Sequence, residues 1–431
     1  MTRLSPQVRQ LWAPLGAASL VMIPAILLRV EGWRPDPVLD MAVFGAAILA
    51  AGFMLSWGAE AAEKYVSQGL ILAAVAIVTV LPEYAVDVYY AFQAGRAPEQ
   101  GYVAFAAANM TGANRLLIGL AWPAMVLLHW WKSRRQGIEL APANGVEVTA
   151  LAVSSAYAFV IVWKNTISVI DTVVLISVFA LYLWRVAKVP KVEDADEDEE
   201  PGPGAIISTW PAARRWAAMG AMTVVAAAVI LAVAEPFAES MIQGGRVLGI
   251  DQFLLIQWLA PIASEAPAVV IAVLFVLAGR AAAGLIAMIS DKINQWTLLV
   301  GMLPLAMSLG AGHLVALPLD VRQHEEFFLT AAQSLFGLAL LLRLRLSLVG
   351  ALALLVLFSA QFAVAMILRG NEARDIAVLT WIAWGYLALA AVLFSASWRR
   401  VRDLIASVVA ITVAKRPEPG LGQPPPSGGA A

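Results

Sequence analysis

Long apolar runs joined by short polar stretches make up almost the whole chain. A helix needs about twenty residues to cross about 30 Å of hydrocarbon. Twelve runs approach or exceed that length: residues 11–29, 41–60, 69–94, 100–131, 147–163, 166–186, 215–242, 251–278, 281–311, 326–342, 347–368 and 375–397. The 17-residue runs also fit re-entrant segments, which leaves the count open by one or two. The first run contains Pro14 and Pro24 and is followed by no small-x-small cleavage pattern. It therefore reads as a retained helix and not as a signal sequence.

Composition sharpens this picture. Of the 431 residues, 61% are hydrophobic and 14% charged, whereas soluble domains carry about 25% charged residues. The chain reads as an all-α integral membrane protein. Its net charge of −1 offers no basic surface for nucleic acid. There is no cysteine, which removes disulfides and thiolate chemistry, and His129, His313 and His324 show no metal-ligand spacing.

Orientation follows from Lys and Arg, which gather on the cytoplasmic side. With the amino terminus inside, that side carries 19 of them and the other side 8. Both termini are expected in the cytoplasm. The run Glu193 to Glu200, followed by Pro201-Gly202-Pro203-Gly204, reads as a solvated linker, because it lacks the ligand order and turn glycine of a calcium loop. The Pro/Gly-rich tail from Lys415 reads as disordered.

Against this background the ionisable residues inside the runs stand out, since a charge at mid-membrane costs about 2.5–3.5 kcal/mol even on lenient scales. Glu265 sits between Pro261 and Pro267, and a polar patch follows at Ser290, Asp291, Lys292 and Asn294. An earlier copy places Pro82 and Glu83 in one run and Thr111, Asn114 and Arg115 in the next. Aligning Glu83 with Glu265 brings Asn114 near Asn294. Five runs separate the two copies, and an odd number inverts topology, as in the inverted repeats of secondary transporters. Proline lacks an N–H, so each break frees a carbonyl that can join a carboxylate around a cation. The candidate oxygen ligands are Glu83, Glu265, Asn114, Asn294, Thr79, Ser264, Ser290 and Asp291, with Glu83 and Glu265 central. Asp87 lies one turn beyond Glu83. Arg115 and Lys292 either pair with Asp87 and Asp291 or neutralise a site carboxylate in place of a bound cation.

At these residues the chain resembles the cation/calcium antiporter superfamily, the sodium/calcium exchanger membrane proteins. That family carries Thr-Ser-x-Pro-Glu in its first repeat and Gly-Ser-Asn on the following helix. Here the stretches read Thr79-Val80-Leu81-Pro82-Glu83 and Gly112-Ala113-Asn114. The second repeat, Ala260 to Pro267 and Ile289 to Gly301, looks closer to a bacterial sodium:proton exchanger-like branch. The resemblance implies two inverted five-helix repeats with one extra helix at each end, in a bacterial inner membrane. The expected divisions are 1–40 for the first extra helix, 41–190 and 213–370 for the repeats, 191–212 for the acidic linker, 371–400 for the last helix and 401–431 for the tail. It implies alternating access around Glu83 and Glu265, with Na+, H+ and Ca2+ as transported cations and no cofactor. Val80 and Ala113 replace motif hydroxyls, and Leu117 and Thr297 stand three residues beyond the two Asn residues. The pocket therefore reads as poor in oxygen and charge for calcium. Two other readings stay open: a transport-inactive relic with a structural or regulatory role, and an intramembrane enzyme using the two glutamates.

The cysteine-free chain allows the orientation to be tested directly. A single cysteine placed in the Glu193–Glu200 run is expected to react with a membrane-impermeant maleimide only after the cells are permeabilised. Labelling of intact cells would reverse the assignment.

Overall fold

A computed structural model describes residues 6–63, 80–188, 202–368 and 371–403. Thr79, the first part of the third apolar run, the acidic stretch 193–200 and the tail beyond 403 lie outside the described residues. Twelve long helices fall on the twelve apolar runs. They are α1 (Pro6–Glu31), α2 (Pro37–Glu63), α3 (Leu81–Arg96), α4 (Tyr102–Ser133), α5 (Gly145–Lys164) and α6 (Val169–Val186). A short α7 (Pro203–Ser208) precedes α8 (Ala212–Leu248) and α9 (Gln252–Leu277). The rest are α10 (Ala281–Asn294 continuing through Val300–Ala311), α11 (Val321–Leu341), α12 (Leu348–Ile367) and α13 (Glu372–Ala396). Nine of them are long and apolar enough to span a membrane on those grounds alone; the other three are α3, α10 and α11.

Two small antiparallel ribbons establish the inversion. Strand β1 (Gly137–Glu139), after α4, pairs with β4 (Arg345–Ser347), after α11. Strand β2 (Thr166–Ile167), after α5, pairs with β3 (Leu317–Pro318), after α10. Paired strands lie on one face of the membrane, so an even number of crossings must separate them. Six long helices separate β1 from β4, and four separate β2 from β3. A single helix, α5, separates β1 from β2, so the ribbons lie on opposite faces. Helix α4 thus ends at one face, and its counterpart α10 ends at the other. The protein is an all-α integral membrane protein of two inverted five-helix repeats, α2–α6 and α8–α12, with α1 and α13 added.

The halves pack by exchange. Helices α2 and α8 lie together, while α3 packs on α10 and α4 on α9. Glycines allow the backbones to approach where these helices cross. A Cβ on Gly112 would collide with the Gln257 carbonyl, one on Gly95 with the Met307 carbonyl, and one on Gly310 with the Phe92 carbonyl. Small residues of this kind let helices meet closely where lipid offers no hydrophobic drive. The Gln257 carbonyl is the one left without an intrahelical donor by Pro261.

Three features depart from the sequence reading. Both prolines of α9 lie inside a continuous helix, so Pro261 and Pro267 do not end it; in the first repeat α3 begins at Leu81, with Pro82 in its first turn, after Val80 at φ −92°, ψ 1°. Each repeat contains one turn of π-helix, Leu117–Ala121 in α4 and Gln295–Leu299 in α10. The end of the expected linker is ordered: α7 buries Pro203, Gly204, Ile207 and Ser208, with Ile206 and Ile207 providing apolar anchorage that the acidic stretch lacks.

Inserting side-chain volume at the helix crossings has a measurable consequence. Gly95→Val and Gly112→Val are each expected to destabilise the protein by about 1–3 kcal/mol or more, since the obstruction is backbone and cannot swing aside. Gly220→Ala, which meets nothing within 4 Å, is the control. Thermal unfolding of the purified protein checks this, and equal melting of all three variants would contradict the packing.

Candidate cation site

The start of α3 at Leu81 sets Glu83 in its first turn, where the helix dipole favours a carboxylate. Its side chain is 2% exposed and lies within hydrogen-bonding reach of Glu265 and Gln295. Glu265 projects from the middle of α9, buried, and accepts from Gln295 Nε2 at 2.7 Å. Asp291 on α10 lies within electrostatic reach of both glutamates, and Glu83 and Glu265 interact with each other. Asp87, fully buried one turn after Glu83, faces Asn109 of α4. The carboxylates come from α3, α9 and α10, so the cluster forms where the two halves meet.

One ammonium enters this cluster. Lys292 is completely buried; its Nζ donates to Asn114 Oδ1 at 2.5 Å, lies 4.3 Å from the Trp296 ring centroid and interacts electrostatically with Glu83. Asn114 is held in turn by its own amide, which donates to the Met110 carbonyl at 2.8 Å. Asn294 accepts from the Tyr84 hydroxyl at 2.9 Å, and its Nδ2 has no partner. A π-turn follows this contact in each half, at Leu117–Ala121 and at Gln295–Leu299.

The hydroxyls of Ser264 and Ser290 make hydrogen bonds outside the carboxylate cluster. Ser264 donates its hydroxyl to the Ala260 carbonyl at 3.1 Å, within its own helix. Ser290 accepts from Tyr182 of α6 at 2.9 Å. Thr79 falls outside the described residues. Arg115 pairs with neither Asp87 nor a site glutamate: its Nη2 lies 2.6 Å from Glu326 Oε2 on α11, with both side chains 2% exposed, and its guanidinium sits 5.1 Å over Trp258. Lys292 meets Asn114 and not Asp291. Tyr84, Gln295 and Glu326 complete these contacts, and none was singled out from the sequence. Tyr84 and Gln295 adjoin Glu83 and Asn294, and adjacency to a polar position was the available signal.

The cluster is richer in acid than the motif substitutions suggested, with Glu83, Asp87, Glu265 and Asp291 around one lysine. Among the described residues no three His, Cys, Asp or Glu side chains are placed to hold a metal ion. A cation held here would draw on Glu83 and Glu265, with amide and main-chain oxygens completing its shell.

Comparison with known proteins agrees with this architecture. Residues 38–188 match the sodium/calcium exchanger protein family. The crystal structure of the H+/Ca2+ exchanger CAX aligns with a TM-score of 0.84 and 35% identity, covering 93% of this chain and 98% of that one. Two structures of the sodium–calcium exchanger NCX_Mj align with TM-scores of 0.51 at 18% and 19% identity, covering 76% of this chain and 99% of theirs, a likeness of fold. No curated protein matches the chain. At 35% identity to an exchanger that it covers almost end to end, this multi-pass membrane protein belongs to the cation/calcium antiporter superfamily.

Proposed function

We propose that the protein is a secondary active cation antiporter that alternates access around Glu83 and Glu265 and exchanges a monovalent cation, Na+, for H+. The observation that carries this reading is Lys292. Its ammonium donates to Asn114 and interacts with Glu83. A built-in positive charge leaves less net negative charge for a divalent ion. Glu265 and Asp291 are then the groups to take the transported cation or a proton, and one group can alternate between the two. Both termini are assigned to the cytoplasm of the bacterial inner membrane.

A second reading, H+/Ca2+ exchange, draws support from the 35% identical relative, an H+/Ca2+ exchanger. Four carboxylates around one ammonium carry charge enough for a divalent ion if all ionise. The relic reading is weakened by the retention of both glutamates in a fully built cluster.

Flux in proteoliposomes separates these readings. A pH gradient is expected to drive 22Na+ uptake, and Glu265→Gln is expected to lower it at least about tenfold, equivalent to 1.4 kcal/mol of lost binding. Ca2+ uptake driven by either gradient and abolished by Glu265→Gln would overturn the monovalent assignment. Unchanged flux after Glu83→Ala and Glu265→Ala together would favour the relic. Lys292→Met is expected to reduce Na+/H+ exchange and to admit Ca2+; a variant that transports Na+ as the native protein does would remove Lys292 from the mechanism.

A further inference from the structure

A second group of buried carboxylates lies outside the site described above. Glu325 and Glu326 sit near the start of α11, 6% and 1% exposed, and Asp375 lies in the first turn of α13, 4% exposed. Helices α4, α9, α11 and α13 bring further groups toward them. Arg115 of α4 pairs with Glu326 and interacts with Glu325 and Asp375. Thr380 of α13 contacts Glu325. Arg322 of α11 interacts with Asp375 and also pairs, at 3.5 Å, with Asp251 at the start of α9. His324 of α11 lies 3.2 Å from the Val162 carbonyl of α5.

Two arginines thus face four carboxylates. If every group were ionised, two negative charges would be left without a counterion. Isolated charges are not tolerated in a low-dielectric interior. The hydrogen bonding is incomplete as well. Glu325 Oε1 and Asp375 Oδ1 have no partner. Gln333 donates to the Arg115 carbonyl at 3.4 Å and leaves its own Oε1 free, and the fully buried Tyr386 hydroxyl, which interacts with Arg115, has no partner either. These groups have the capacity to share protons. They are not placed as a metal cage, since no three His, Cys, Asp or Glu among the described residues are.

We infer that Glu325, Glu326 and Asp375, organised by Arg115, form a second proton-binding site at the α4–α11–α13 junction. Its position assigns it a direction. Helices α9, α11 and α13 all begin on the membrane face that carries β2 and β3, and the Asp251–Arg322 pair, 35% and 16% exposed, connects the cluster with that face. On its inner side Arg115 adjoins Asn114, the partner of Lys292. Asp375 comes from α13, which lies outside the two repeats, so the site has no complete copy in the first half. Protons therefore enter it from one face of the membrane only, and they adjust exchange at the central cluster from that face.

Two measurements on the full-length protein test this, the first independent of the transport reading on which the second rests. Infrared difference spectra of purified protein between acidic and alkaline pH are expected to contain a carboxylic acid C=O band that shrinks in Glu325→Gln with Asp375→Asn, while melting stays native-like. An unchanged band would overturn the site, whatever the protein transports. In proteoliposomes of known orientation, the double variant is expected to lose most of the response of cation flux to pH on the β2–β3 face and to keep the response on the other face. A native response on both faces, or a loss of flux equal at every pH, would overturn the regulatory role.

Discussion

Carboxylates that cannot reach water determine the design of this protein. Glu83, Asp87 and Glu265 are buried where apolar helices cross, with Asp291 half-buried beside them, and an apolar bundle accepts such groups only if something else supplies polarity. Three devices do so. The dipole of α3 begins at Glu83, the Gln295 amide reaches Glu265, and Lys292 carries a full positive charge into the cluster. Removing any one of these leaves a buried charge less compensated, which in proteins costs more than an intact pair contributes.

The backbone is shaped around the same constraint. A chain that must keep every N–H and C=O satisfied in lipid has few ways to change direction. This one begins α3 at Leu81, loosens α4 and α10 by one π-turn each, and keeps α9 whole despite two prolines. The π-turns lie just beyond the Asn114–Lys292 contact, and the glycines at the crossings admit carbonyls where side chains would otherwise stand. The ribbons β1–β4 and β2–β3 then tie joints of the two halves together, one on each face.

Much of this was legible in the residues. Twelve apolar runs became twelve helices because hydrophobic length is a strong and local signal, and Glu83 and Glu265 announced themselves by the expense of placing acid there. The partners of the charges were harder to read. Arg115 follows Asn114 in the chain, yet it turns to Glu326, because side-chain direction on a helix depends on which neighbour the far half supplies. The π-turns were hidden as well, since one adds a residue to a turn without any marker in composition. The strands that form the ribbons, two or three residues each, carry too little pattern to be recognised one at a time.

The exchange of helices between halves bears on how the protein is made. Helix α3 finds its partner only when α10 exists, and α4 must wait for α9. At about 5–20 residues per second of synthesis, the ribosome needs roughly ten to fifty seconds after Glu83 to complete α10. For that interval the first half resembles one member of a heterodimer whose other member has not yet been translated. Its acidic helix is inserted, its mate is absent, and its fate depends on the membrane insertion machinery holding it until the second half arrives.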